Sequence, residues 1–97
     1  MFFCGSTHAQ SIELLKLDAQ LKYKNQDFLG VIESMNKAIL IAPKDGNCYY
    51  FRGLSKIFMG DNPGGCADLA IAKSFGVKTP DKNSLDFCVM MNLGLNT

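Results

Sequence analysis

Apolar residues recur at intervals of three and four along most of the chain, and turn-forming residues divide this pattern into five segments. The predicted helices cover approximately residues 10–25, 28–41, 48–59, 63–75 and 80–92. Strand signals are weak, because the Asp45-Gly46 pair is followed by helical periodicity rather than by alternation. The loops are short, so consecutive helices should pack antiparallel and the fold class should be all-α.

Two of the predicted helix starts have the same local chemistry. In "GDNP" the glycine ends one helix, Asn62 is the predicted N-cap of the next, and Pro63 falls in its first turn. Thr79 and Pro80 repeat this signal before the fifth segment. These positions therefore mark helix boundaries rather than a domain linker.

The sequence is similar to itself when it is shifted by 34 residues. The aligned pairs include Ala19 with Gly53, Gln26 with Gly60, Asp27 with Asp61, Met35 with Leu69 and Ala38 with Ala72. A fixed period of this length indicates stacked helix–turn–helix units. The two units cover approximately residues 12–45 and 46–79 of a single domain, 10–97.

Two such units at this period resemble the tetratricopeptide repeat (TPR), whose pattern places small residues and an alanine at fixed helical positions. The matching residues are Leu15, Ala19, Val31, Met35, Ala38 and Pro43 in the first unit, and Tyr49, Gly53, Gly65, Leu69 and Ala72 in the second. The sequence departs from the family at Lys22 and Lys56, which replace an aromatic residue, and at Val77, which replaces the proline. The resemblance implies an α-α superhelix of two repeats, with a C-terminal capping helix at about 80–92.

Gly53 lies in the middle of a predicted helix, where glycine costs about 0.5–1 kcal/mol relative to alanine. We expect the second helix of the same hairpin to cross close to it at Gly65, so that packing offsets this cost. Ala19 opposite Val31 should be the equivalent contact in the first unit.

Asp18 and Arg52 occupy equivalent places in the two units, where the family has hydrophobic residues. We expect these opposite charges to approach each other between the first and third helices. A partly exposed pair contributes only about 0–1 kcal/mol, so its role would be register rather than stability.

In TPR proteins the first helices of the repeats line a concave groove that binds peptides or partner helices. By that resemblance, the candidate partner-binding residues are Lys16, Gln20, Tyr23, Lys24, Tyr50, Phe51, Leu54 and Phe58. The first unit contributes a mostly polar face and the second an apolar one. For Tyr50 and Leu54 the alternative is that they pack against the fifth helix or the first unit. A complete carboxylate clamp of the chaperone-binding kind is absent, because the second unit offers apolar residues instead.

Composition and charge narrow the classes of function. The chain has 97 residues, 47% of them hydrophobic, and a formal net charge of +1 from scattered rather than clustered basic residues. This charge pattern does not indicate a nucleic-acid surface. The longest apolar run is far short of the roughly 20 residues that span a bilayer, so membrane insertion is not expected.

Catalytic and metal-binding motifs find little support. The single His8 precedes the first predicted helix, and Cys4 is its only nearby candidate co-ligand. "GDNPGG" has the glycines of a phosphate loop but neither the following Lys-Ser/Thr nor a preceding strand. We therefore predict a protein that is not an enzyme and that has no cofactor or metal.

The first nine residues leave two interpretations open. "THA" before Gln10 is similar to the end of a secretory signal, but the charged region is missing and the apolar part is short. Residues 1–9 are either the remnant of a truncated signal peptide or a frayed N-terminus. An exported location, periplasmic or secreted, is favoured, and a cytoplasmic location is the alternative.

The stretch that begins "GDNPGGC" resembles exported TPR modules of the Bacteroidetes type, in which a similar motif is followed by a cysteine in the capping helix. This resemblance implies a disulfide between Cys66 and Cys88. Cys48 is better interpreted as a small buried hydrophobic residue. In the cytosol all four cysteines would be free thiols.

The expected function is a non-catalytic scaffold that binds a protein or peptide through the groove of its repeats. The alternatives are a structural module that self-associates through the same apolar face, and an accessory subunit of a larger envelope assembly.

Overall fold

The computed structural model describes residues 8–78 and Cys88. This part of the chain is helical and contains no strands, which confirms the predicted all-α class. The helices are α1 (His8–Lys24), α2 (Phe28–Ile41), α3 (Gly46–Phe58) and α4 (Asn62–Ser74). Helix α1 begins at His8, two residues earlier than predicted. Residues 1–7 and the predicted capping helix lie outside the described residues, except for Cys88, which is helical.

The four helices form two hairpins arranged as in a helical repeat. Helix α1 packs on α2, α3 packs on α4, and α2 and α3 join the hairpins. Helices α1 and α3 contact each other only lightly. The first helices of the two hairpins therefore lie beside each other with open space between them.

Aspartates cap three of the helices. Each carboxylate accepts a backbone hydrogen bond: Asp27 from Gly30 at 3.0 Å, Asp45 from Asn47 at 3.1 Å and Asp61 from Gly64 at 3.0 Å. The prediction that Asn62 caps α4 was wrong by one residue, because Asp61 makes the capping bond and Asn62 is already helical. Pro63 lies in the first turn, as predicted.

The turns inside the two hairpins share a positive φ and the same backbone hydrogen bond. Gln26 has a φ of 61° and Gly60, 34 positions later, has a φ of 96°. The amides of Asp27 and Asp61 donate to the carbonyls of Lys22 and Lys56, each at 2.8 Å. The 34-residue period found in the sequence is thus a period of the backbone.

The predicted close crossing of α3 and α4 is confirmed. Gly53 is buried, and a Cβ added there would lie 2.8 Å from the carbonyl oxygen of Gly65. A Cβ at Gly65 would lie 2.6 Å from the carbonyl oxygen of Gly53. In the first hairpin Ala19 and Val31 are fully buried in the same cluster. Small residues therefore set the spacing of α3 and α4.

The described residues form two core clusters that meet at α3. The first contains Ile12, Ala19, Val31, Met35, Ala38 and Cys48, and the second contains Tyr50, Leu54, Cys66, Leu69, Ala72 and Cys88. Phe51 packs against both clusters. Cys48 belongs to α3 but packs in the first cluster, so the two hairpins share one continuous interior.

Candidate partner-binding surface

A pocket of about 560 Å³ opens between α1 and α3. It is lined by Glu13, Leu14, Lys16, Leu17, Gln20, Asn47 and Phe51. Three of the predicted groove residues, Lys16, Gln20 and Phe51, are therefore brought together on one face. The lining mixes leucines, one aromatic ring, amides and two charged groups, which suits a peptide better than a small ion.

Lys16 is not a free cation at this pocket. Its Nζ lies 2.6 Å from Oδ2 of Asp45, the residue that caps α3. Partial burial by itself lowers the pKa of Lys16. The hydrogen bond to Asp45 and the charges of Asp45 and Glu13 outweigh burial, so the pKa is raised. Lys16 therefore ties α1 to the start of α3 and helps to shape the pocket.

Tyr50 and Leu54 belong to the core rather than to the accessible surface. Their exposed fractions are 9% and 6%, and both pack in the cluster that contains Cys66 and Cys88. The alternative left open by the sequence, that these side chains pack internally, is the one the structure supports. Little of either side chain is therefore accessible to a groove partner.

An aromatic cluster closes one end of the α1–α3 face. Phe58 is exposed but stacks on Phe28 of α2 at a centroid distance of 4.7 Å. Tyr23 makes edge contacts with Phe28, Phe51 and Phe58 at 5.6, 6.0 and 6.2 Å. Lys24, the residue after Tyr23, is exposed and does not line the pocket. Tyr23 and Phe58 thus serve partly to hold the two hairpins together.

The predicted approach of Asp18 and Arg52 was wrong. No ion pair joins them within residues 11–78, because each bonds to the second helix of its own hairpin, 16 residues along the chain. Asp18 accepts a hydrogen bond from Ser34 at 2.7 Å and pairs with Lys22 at 2.8 Å. The hydrogen bonds from Lys22 and Ser34 lower the pKa of Asp18. Arg52 bonds to Asp68 instead.

The apolar part of α1 was underestimated from the sequence. Leu14, Leu17 and Leu21 are all more than half exposed, and two of them line the pocket. Their spacing of i, i+3 and i+7 was the signal that could have identified them. They make the surface of the first hairpin apolar, where a mostly polar face was expected.

The cysteines lie where the resemblance placed them. Cys66 and Cys88 are at disulfide-bonding distance, with Cα atoms 5.7 Å apart, which confirms their predicted proximity. Cys48 is fully buried and unpaired. Burial raises the pKa of the Cys48 thiol to about 11. A thiol of this kind behaves as a hydrophobic core residue rather than as a nucleophile.

Residues 8–78 with Cys88 contain no group of three or more His, Cys, Asp or Glu side chains that could hold a metal ion. No helix in the same residues is long and apolar enough to cross a membrane.

In comparisons with known proteins, no family model matches the chain, and no curated protein or solved structure is significantly similar to it.

Proposed function

We propose that the chain is a non-catalytic, TPR-like interaction module that binds a peptide or protein segment in the pocket between α1 and α3. The observation that carries this proposal is the pocket itself, which lies between the first helices of two repeat-like hairpins. Its lining offers both apolar contacts from Leu14 and Leu17 and hydrogen-bonding groups from Gln20 and Asn47. An extended peptide needs this combination, because its backbone must be hydrogen-bonded while its side chains are buried.

The revised binding residues are fewer than the predicted set. Gln20 and Phe51 remain, Lys16 acts through its ion pair with Asp45, and Tyr23 and Phe58 form the closed end of the face. Affinity would then come mainly from the leucines and from Phe51, since apolar and aromatic anchors usually carry most of an interface's energy.

The proposed location is an exported, oxidising compartment. The support is the pair Cys66 and Cys88 at disulfide-bonding distance, because such bonds persist outside the reducing cytosol. The bond would hold the segment that contains Cys88 against the second hairpin.

The test of binding uses peptides selected on the immobilised protein from a random displayed library. Their affinities are then measured by calorimetry for the original protein and two variants. Gln20→Trp places a bulky ring in the pocket and should weaken binding by about tenfold or more. Glu33→Trp places the same ring at an exposed position of α2 and should leave affinity unchanged. Failure to enrich any peptide, or equal affinity for both variants, would overturn the proposal.

A further inference from the structure

Helix α1 carries an exposed stripe of leucines that the pocket does not fully use. Leu14, Leu17 and Leu21 are 67%, 54% and 55% exposed and lie on one helix face. We call these three residues the leucine stripe. Contiguous apolar surface on a small domain usually marks a contact with another molecule or element.

The internal repeat shows what kind of element covers such a face. The residues 34 positions after the leucine stripe are Cys48, Phe51 and Ser55 on α3. Cys48 and Ser55 are fully buried, Phe51 is half-buried, and Cys48 packs against buried residues of α2. At Cys48 and Phe51, this face of α3 therefore packs in the core cluster to which the antiparallel helix α2 contributes. Among the described residues, 8–78 and Cys88, no helix covers the equivalent face of the first hairpin, whose three leucines are more than half exposed.

Charges at the two ends of the leucine stripe favour one particular occupant. Exposed Glu13 lies at its N-terminal end and exposed Lys24 at its C-terminal end. Two antiparallel copies of α1 would bring each Glu13 toward the basic end of the other copy, whereas parallel copies would place like charges together. The antiparallel direction is also the one in which α2 packs on α3.

We propose that a second copy of the chain covers the leucine stripe, with the two α1 helices antiparallel about a two-fold axis near Leu17. A two-fold contact uses the same patch on both copies, and an apolar stripe with opposite charges at its ends is self-complementary. This proposal goes beyond peptide binding and does not depend on it. The leucine stripe spans only about two helical turns, less than the roughly 800 Å² per partner of a standard interface. The dimer is therefore reversible and depends on concentration.

The matched control is a leucine outside the stripe. Leu40 is 85% exposed on α2, and the other strongly exposed leucine of that helix, Leu29, lies about three turns away. Leu21 is the better test position within the stripe, because it does not line the pocket. Leu21→Glu and Leu40→Glu thus make the same chemical change at exposed sites of two helices.

The experiment is sedimentation equilibrium of the full chain over a range of concentrations, with iodoacetamide present to prevent intermolecular disulfides. The original protein should show a reversible monomer–dimer equilibrium. Loss of a well-packed interface side chain lowers association about tenfold, and a two-fold dimer loses it twice. Leu21→Glu should therefore lower the association constant about a hundredfold, whereas Leu40→Glu should leave it unchanged.

Charge reversal tests the antiparallel arrangement. Glu13→Lys and Lys24→Glu should each weaken the dimer, and the double variant should restore it. A chain that stays monomeric at every concentration, equal effects of the two leucine variants, or a double variant weaker than both single ones would overturn the proposal.

Peptide binding is measured separately, at concentrations where the protein is monomeric, and Leu21→Glu should not change it. Failure of one proposal is therefore distinguishable from failure of the other.

Discussion

Arg52 holds Asp68 through two parallel hydrogen bonds. Nε donates to Oδ2 at 2.8 Å and Nη2 donates to Oδ1 at 2.9 Å, while Nη1 donates to Oδ1 of Asn36 at 2.9 Å. Lys56 lies 3.1 Å from the same carboxylate. The hydrogen bond to Asp68 is the main cause that raises the pKa of Arg52. Because Asn36, Arg52 and Asp68 lie on different helices, this one guanidinium connects α2, α3 and α4.

Asp68→Asn should destabilise the protein strongly. Asp68 is 3% exposed, and its removal leaves Arg52 and Lys56 without their counter-charge in a partly buried site. Removing one partner of a buried pair typically costs about 3 kcal/mol or more. Urea denaturation should therefore show a clearly lower midpoint.

The control is Asp18→Asn in the first hairpin, whose carboxylate is about half exposed and bonds to Ser34 and Lys22. Its midpoint should fall much less, because solvent screens this pair. An equal decrease of the urea midpoint in Asp68→Asn and Asp18→Asn would contradict the distinction between a buried and an exposed cluster.

The crossing of α3 and α4 predicts a reversal of the usual helix preference. In an exposed helix interior, replacing glycine with alanine stabilises by about 0.5–1 kcal/mol. At Gly53 the new methyl group would lie 2.8 Å from the carbonyl oxygen of Gly65, so Gly53→Ala should instead destabilise by about 1–3 kcal/mol. Ala19→Leu should also destabilise, since Ala19 is fully buried. A Gly53→Ala variant with a raised melting temperature would show that the helices can move apart freely.

The turns predict two opposite effects at equivalent positions. Gln26 has a positive φ, a conformation that costs a side-chain-bearing residue about 1–2 kcal/mol, whereas Gly60 adopts it readily. Gln26→Gly should therefore stabilise the protein by about 1 kcal/mol, and Gly60→Gln should destabilise it by a similar amount. Thermal melts of the two variants give the signs directly. Two shifts of the same sign would contradict the shared turn conformation.

Sequence periodicity was sufficient for the features that depend on spacing alone. The small residues Gly53 and Gly65 identify a close crossing, and the 34-residue shift aligns Gln26 with Gly60, which both have a positive φ. These features are local, or repeat along the chain, and so they leave a trace in the order of residues.

Periodicity could not identify the neighbour of each face. Equivalent residues of adjacent repeats, such as Asp18 and Arg52, need not touch, because each side chain points toward the second helix of its own hairpin. Tyr50 and Leu21 lie on apolar faces that look alike in sequence, yet one is buried and the other is exposed. Which helix covers a face depends on how the hairpins stack.

Cys48 should react slowly with alkylating reagents in the folded protein. Burial disfavours its thiolate and raises its pKa to about 11, above the ordinary value of about 8.5. Peptide mapping after brief iodoacetamide treatment across a pH series should place the half-maximal rate at Cys48 near pH 11. A half-maximal rate near the ordinary value would mean that water reaches the thiol.

The same shift has a defined effect on stability. The pKa of Cys48 is higher in the folded state than in the unfolded state. Its contribution to the free energy of unfolding is therefore fully present below the unfolded pKa and is lost as the pH rises through the folded pKa. The free energy of unfolding should therefore fall by about 2–3 kcal/mol between about pH 9 and pH 11 from this group. A Cys48→Ala variant should lack this part of the decrease.

Closing the loop between Cys66 and Cys88 should stabilise the second hairpin. The bond would close a loop with a sequence separation of 22, which contributes about 3 kcal/mol in the chain-entropy model. Protein purified without reductant, unfolded in urea and alkylated should gain two groups out of its four cysteines, and four groups after prior reduction. A Cys66→Ala/Cys88→Ala variant should melt at the same temperature with and without reductant, whereas the original protein should melt lower when reduced.

Four alkylated cysteines in unreduced protein from its native compartment would contradict both the bond and the proposed oxidising location. Two alkylated cysteines with no change in melting on reduction would retain the bond but show that residues around Cys88 add little to the stability of the hairpins.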